Sequence, residues 1–393
     1  MVDVVITGLG AASRLGIGVD ALSRGMAEVR YAPPEPIADP GARVPVPLFY
    51  RLPDEQLPPG PDEALGLPVG RANLLALDSA RQATRSARLV PDPDTRVSVL
   101  IGSSVADVHV VERWRTDGYP QRSRWVPVFS AASAIAADLG ADGGAVSLSN
   151  ACSGSGYALA IGADMIAAGE TDVVVAGGME TYSRVALACF NRLGALDPNG
   201  IRPFDRHRAG SILAEGAGCL VLESAEHAHR RGAPVLARLL GSGWSCDGHH
   251  ATAPDPTGTQ IARAMRAALD DAGATPDDID FLVPHGTGTE RNDATESVAM
   301  ATVFGDRLAK IPLYSLKALI GHTGGASAAL AVAAAVLFCQ QGWLPPNVPV
   351  AEPDPDCPVL LPADRTPLPG RTGMVNAYAF GGNNMSLIVA GGE

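Results

Sequence analysis

Two stretches of small residues set the strongest constraint on how this chain can fold. Residues 153–168 (SGSGYALAIGADMIAA) and 326–339 (ASAALAVAAAVLFC) consist almost wholly of Gly, Ala, Ser and aliphatic side chains. A helix with no polar stripe belongs inside a core, and small side chains let neighbouring backbones approach closely. The second stretch falls short of the ~20 residues that cross a bilayer, so it reads as a buried core helix. Each stretch follows a strand and a turn rich in reactive or small residues, which suggests an internal duplication. The halves would be 1–233 and 234–393. Composition agrees: 46% of the 393 residues are hydrophobic but only 5% are aromatic, so Ala, Val, Leu and Gly must build the core. The length exceeds one ordinary domain of ~100–200 residues.

The charge balance excludes some functions. Thirty basic against 42 acidic side chains leave a net charge of −12, which argues against binding nucleic acid or an anionic membrane surface. Six cysteines show no CxxC and no Cys/His spacing for a metal, and read as free thiols of a reducing compartment. The N-terminus MVDVVITGLG lacks a charged region followed by a long apolar run, so no secretory signal is expected and the reading is a cytoplasmic protein. β-Branched runs predict strands at 2–7, 96–101, 145–148, 172–175, 218–223, 281–283, 374–378 and 386–390. Helical spacing marks 72–89, 131–139, 262–272 and 293–303. The proline-rich residues 31–69 read as a surface excursion. Gly8-Leu9-Gly10 reads as a loop after the first strand. Ser13 replaces the third glycine of a dinucleotide fingerprint, so no NAD site is expected.

The chemistry gathers in three distant segments. Asn150-Ala151-Cys152-Ser153-Gly154 puts a thiol at the start of a predicted helix, where partial positive charge and free N–H groups lower a thiol pKa. His285-Gly286-Thr287-Gly288-Thr289 delivers a histidine from a strand end, with Thr287 and Thr289 placed to bind a polar, extended ligand. Lys317 and His322 stand in SLKALIGH just before the second small-residue helix. The chain has two lysines, Lys310 and Lys317, and its other basic side chains are arginines. A lysine kept in an apolar segment needs a carboxylate, and Asp293 or Glu296 is the expected partner. His322, before a helix, is expected to be neutral and to donate from Nε2 to a developing oxyanion. Phe380-Gly381-Gly382 could supply a backbone N–H and a movable aromatic gate. Each element alone also suits a structural role. Together, one thiol to carry an acyl group and two imidazoles to stabilise a thioester oxygen are what a decarboxylating condensation needs.

In combination and order, these segments resemble the elongating β-ketoacyl-acyl carrier protein synthases of the thiolase superfamily. The resemblance rests on VVITGLG at 4–10, NACSG at 150–154, GGME at 177–180, RPFDRHRAG at 202–210, AEGAG at 214–218, PHGTGT at 284–289, SLKALIGH at 315–322 and FGGNN at 380–384. It implies a five-layered αβαβα fold of two duplicated halves, normally a dimer. It implies that Cys152 accepts an acyl group from a phosphopantetheine thioester, with the N–H groups of Cys152 and Phe380 as oxyanion hole. Malonyl-carrier protein would then lose carbon dioxide while His285 and His322 stabilise the enolate, Lys317 supporting. No metal or redox cofactor is implied, because phosphopantetheine arrives on the acyl carrier protein. A degradative thiolase would carry a second reactive cysteine where Phe380 stands, and an initiating synthase would lack His322.

Departures from the family pattern point away from a housekeeping role. Ala106-Asp107 stands where glycines are usual, Ser211-Ile212 where Phe-Val is common, and Asn383 and Asn150 replace other frequent residues. Val105, Asp107 and Phe380 are expected to border the acyl tunnel. A polyketide or specialised fatty-acid pathway fits. Two alternatives stay open: a non-decarboxylating acyltransferase using Cys152, and a subunit active only in a ketosynthase heterodimer.

Overall fold

We describe a computed structural model covering residues 2–60, 63–64, 67–90, 94–116 and 130–392. Four positions of the 31–69 excursion (61–62 and 65–66) lie outside the described residues.

One ten-stranded mixed sheet runs through the molecule. Its strands are β1 (Val4–Ser13), β2 (Val97–Gly102), β3 (Ala145–Leu148), β4 (Val173–Glu180), β5 (Gly216–Ser224), β6 (Ala237–Cys246), β7 (Phe281–Val283), β8 (Thr372–Ala379) and β9 (Asn383–Gly391). A two-residue strand, Gly16–Ile17, pairs with β1. The order β7-β8-β9-β6-β1-β5-β4-β2-β3 contains one motif twice. In the first copy, β2 lies between β3 and β4 with both pairings parallel, and β5 and β1 follow antiparallel. In the second, β7 lies parallel to β8, and β9 and β6 follow antiparallel. A parallel bridge from Leu282 to Leu313 stands where β3 stands in the first copy. The copies join where Val4–Ile6 of β1 pair with 237–239 of β6.

Among the helices are α1 (Arg71–Ser86), α2 (Ala131–Leu139), α3 (Gly154–Ala167), α4 (Arg184–Arg192), α5 (Thr259–Ala272), α6 (Glu290–Phe304) and α7 (Ser327–Gln341). The small-residue helices α3 and α7 pack on each other and contact strands of both copies, whereas α1 with α2 and α5 with α6 cover the outer faces. The result is five layers, αβαβα. The Gly324–Gln341 stretch, among the described residues the one long and apolar enough to cross a membrane, is 83% buried inside the fold and is the central layer.

Three readings from the sequence change. Gly8-Leu9-Gly10 is not a loop: β1 continues to Ser13. A Cβ on Gly8 would fall 2.0 Å from the Ala83 carbonyl oxygen and one on Gly10 1.9 Å from that of Ser79, so the glycines are there to let α1 lie against the strand. Likewise β4 runs on through Gly177-Gly178 to Glu180. The excursion is also not wholly at the surface, since Phe49, Tyr50 and Leu52 are buried. Of the six free thiols, Cys189 and Cys246 are exposed and the rest buried.

Candidate active site

All three chemical segments leave the carboxyl ends of parallel strands or the Leu313 bridge beside them. After β3, Ala151 takes φ +45°, a left-handed conformation that costs a non-glycine residue about 1–3 kcal/mol. That turn sets Cys152 at the mouth of α3. After β7 comes His285. After the Leu313 bridge come Lys317, in the five-residue helix Leu316–Ile320, and then His322. Cys152, His285 and His322 line one cavity of about 400 Å³ with Thr287, Thr289 and Phe380.

The His322 Nε2 atom lies 3.0 Å from Cys152 Sγ, and its Nδ1 lies 3.2 Å from the Ser327 hydroxyl at the head of α7. That hydroxyl both donates and accepts, so it can serve either imidazole tautomer. The ring centres of His285 and His322 are 5.6 Å apart, edge to face. Burial, reinforced by the nearby Lys317 charge, lowers both imidazoles: His322 falls to about 3 and His285 well below its usual value. Both are neutral near pH 7, as expected for hydrogen-bond donors. The thiol departs from expectation. Burial pushes Cys152 up to about 12, with the Glu180 charge adding to the rise and Lys317 opposing it. A helix N-terminus alone does not make it a resting thiolate. The proton must leave through a neighbour, and His322 Nε2 is within reach.

Lys317 is buried, but neither predicted carboxylate touches it. Its Nζ donates to the His285 carbonyl at 2.6 Å and lies 3.4 Å from His285 Nδ1. A cation donating to Nδ1 leaves the proton on Nε2, the atom a donor to substrate needs. Glu296 grips the same residue from behind, accepting the N–H groups of His285 (2.7 Å) and Gly286 (2.8 Å). Burial pushes Lys317 down and Glu296 up, and their mutual attraction opposes both shifts. Asp293 serves other donors: Phe204 N–H, Gly288 N–H and the Asn292 amide, with Arg208 Nε at 3.8 Å. The expected direct ion pair of Lys317 with Asp293 or Glu296 is therefore replaced by one histidine held between a cation and a carboxylate. Thr287 and Thr289 join hydroxyls at 3.0 Å on the cavity wall. The Phe380 ring stacks on Phe190 of α4 at 5.3 Å, over the cavity.

Val105 and Asp107 are not brought to this cavity. The Asp107 carboxylate is consumed by the first N–H groups of α1, accepting from Ala72 at 2.8 Å and Asn73 at 3.3 Å. Gly70 precedes this helix and has no side chain with which to cap it. The Val105 N–H donates to Glu180. Three neighbours of the site escaped the sequence reading. Phe190 packs edge-on against His322, and the Tyr378 ring lies 5.5 Å from His285. Glu180 accepts from Ser103, Ser104, Val105 and Gly325, tying both copies together. Its signal was present: a lone carboxylate ending the apolar strand VVVAGGME. Phe190 and Tyr378 carried none beyond the scarcity of aromatics.

A five-layered fold with a cysteine and two neutral histidines facing one cavity defines a thiolase-like acyl-transfer enzyme. Residues 67–228 match the family model described as Beta-ketoacyl synthase, N-terminal domain, and residues 236–351 match Beta-ketoacyl synthase, C-terminal domain. The chain belongs to the beta-ketoacyl synthase family. It is 35% identical to Nodulation protein E of Rhizobium meliloti (strain 1021), over 98% of each chain. It is 31% identical to 3-oxoacyl-[acyl-carrier-protein] synthase 2 of Staphylococcus aureus (strain MRSA252), again over 98% of each. Among solved structures, the ishigamide ketosynthase/chain length factor superposes with a TM-score of 0.88 at 35% identity, covering 100% of both chains.

Proposed function

We propose that this enzyme performs a decarboxylative Claisen condensation between a Cys152-bound acyl group and malonyl-acyl carrier protein, in polyketide or specialised fatty-acid biosynthesis. The observation that carries the proposal is the pairing of Cys152 with His322 at 3.0 Å, with neutral His285 on the same cavity. His322 Nε2 takes the thiol proton as Sγ attacks the carrier-bound acyl thioester. The tetrahedral oxygen rests on the N–H groups of Cys152 and Phe380, and the carrier thiol leaves protonated. In the second half-reaction His285 and His322 donate from Nε2 to the malonyl thioester oxygen. That stabilises the enolate as carbon dioxide departs; the carbanion then attacks the acyl-cysteine carbonyl, the bond to Sγ breaks, and Cys152 leaves as a thiolate that takes up a proton. A non-decarboxylating transferase would need one imidazole, not two.

The roles divide between two halves, 1–233 carrying the nucleophile and 234–393 the histidines. Thr287 and Thr289 line the approach of the pantetheine arm, the only prosthetic group the reaction needs. The acyl carrier protein is the partner in both half-reactions. Among the described residues β3 is the last strand of the sheet, with Ala145 and Val146 exposed, and an outermost strand can pair with another chain. A second ketosynthase subunit, identical or a chain-length partner, suits that edge. Free thiols fit a cytoplasmic setting. The test is a panel of acyl-carrier substrates followed by malonyl-carrier protein. Mass spectrometry should find acyl-Cys152, and carbon dioxide release should match β-ketoacyl product one for one. Acylation without carbon dioxide release would return the chain to simple acyl transfer.

A further inference from the structure

The turn that carries His322 is held by residues far from it in sequence. Its N–H donates to the Ile212 carbonyl at 2.8 Å, and its carbonyl accepts from Ala214 N–H at 2.9 Å. The other edge of that short segment is taken by the excursion: Tyr50 N–H donates to Leu213 and Glu215 N–H to Tyr50. Glu215, fully buried, is anchored by Arg71 and by Leu52 N–H. The Tyr50 ring lies directly against Gly321, where an added Cβ would fall 2.4 Å from Tyr50 Cδ2 and where φ is +79°. Arg14 closes the arrangement. Its guanidinium carbon sits 4.4 Å above the Tyr50 ring, and Nη1 donates to the Leu319 carbonyl at 3.1 Å, three residues before His322, and to Ala32 at 3.1 Å.

We propose that Arg14 and Tyr50 are positioning residues that bracket the Leu319–Gly321 turn and so set His322 Nε2 against the Cys152 thiol. The proposal rests on the reading of His322 as the thiol's proton acceptor. The cation fixes a carbonyl on one side of the turn and the ring it lies on fills the space under Gly321, so neither group touches substrate. A loose turn leaves the thiol intact but deprives it of its base. The work of the bracket is therefore confined to reactions that need the Cys152–His322 contact.

The test is the alkylation rate of Cys152 by iodoacetamide as a function of pH, a reaction that asks nothing of ketosynthase chemistry. Melting temperature is recorded beside it. Arg14→Met, which keeps the aliphatic stem, should slow alkylation about tenfold at pH 7 and move the midpoint upward, less than the ~100-fold that a 1 Å misplacement can cost. Arg14→Lys should recover part of the loss. Tyr50→Phe, which keeps the ring, should match the parent enzyme, and Tyr50→Leu should resemble Arg14→Met. The deciding variant is Arg14→Met combined with His322→Ala. If Arg14 acts through His322, the double variant is no slower than His322→Ala alone. Additive losses would overturn the proposal, as would a lower melting point with an unchanged pH profile. If His322→Ala itself alkylates at the parent rate, the proton-acceptor reading falls and the bracket with it. If His322→Ala slows but neither bracket variant does, the bracket alone falls.

Discussion

The two copies of the strand motif carry different chemistry at equivalent ends. After the second strand of each copy, one loop holds Ser103 to Asp107, tied down by Glu180 and by the head of α1, and the other holds His285. After the third position, one copy turns through Cys152 and the other through Lys317 and His322. After the fourth strand, one ends on Glu180 and the other on Phe380. Carboxylates fasten backbone in both copies, but one copy contributes the nucleophile and the other the cation, both imidazoles and the aromatic gate. A duplicated frame supplies two sets of loops converging on one cavity. Because the loops face each other, the copies can diverge without moving the frame.

Removing the first copy's nucleophile should have the largest effect. Cys152→Ala should lose acylation and condensation by at least about 10⁴-fold, since no other thiol lines the cavity among the described residues. Condensation surviving in that variant would sink the assignment. The second copy should then split in two. His285→Ala should lower carbon dioxide release about 10²–10³-fold while acylation of Cys152 persists, as expected for a lost oxyanion donor. His322→Ala, which removes the thiol's neighbour, should lower both. Single-turnover mass spectrometry with carbon dioxide trapping separates them, and identical profiles for the two histidine variants would erase the distinction between them.

Next comes the fastening between copies. Glu180 accepts from four donors, three in the Ser103–Val105 loop and one, Gly325 at 2.9 Å, at the head of the opposite central helix. Truncation leaves buried donors unmatched, so Glu180→Ala should cost about 3 kcal/mol in denaturant unfolding. Glu180→Gln, which retains an acceptor, should cost less. Equal losses for both variants would mean that charge, not hydrogen bonding, joins the copies.

The legibility of the sequence follows the same division. The central helices were readable because a run such as AVAAAVLF has no face for water. Cys152, His285 and His322, singled out because each stands in a glycine-rich turn after an apolar strand or just before a small-residue helix, do meet at one buried cavity. What failed was pairing. Lys317 was matched with Asp293 or Glu296, the acids on the helix after the HGTGT run, but its ammonium rests on a carbonyl, and carbonyls have no sequence signature. Asp107 was assigned to the tunnel because it stood where glycine is usual, whereas its carboxylate caps a helix 35 residues upstream that begins after a glycine. The extension of β1 through Gly8 and Gly10 was missed because the close approach of α1 is visible only once the helix is in place. Arg14 and Tyr50 were invisible for the same reason.

The smallest expected effect tests whether one loop from each copy responds to acid in the opposite sense to the other. Burial lifts Asp107 from 3.8 to about 6, with the charge of Glu180 adding to the rise and N–H groups of α1 opposing it. Between those values the folded state binds the proton that the unfolded state has released. This contribution is therefore full below about pH 4 and is lost as pH rises through about 6. His322 runs the other way. Its folded value near 3 lies below the unfolded 6.5, so its contribution is full above about pH 6.5 and is lost as pH falls towards 3. Each group bends the stability curve by at most about 1.4 kcal/mol per pH unit within its window. In urea unfolding between pH 4 and 6 the two slopes oppose each other. Asp107→Asn should leave a curve that falls more steeply on acidification, and His322→Asn one that falls less steeply or rises. If both variants tilt the curve in the same direction, the two loops do not hold their ionisable groups in the contrasting states that the buried carboxylate and the buried imidazole require.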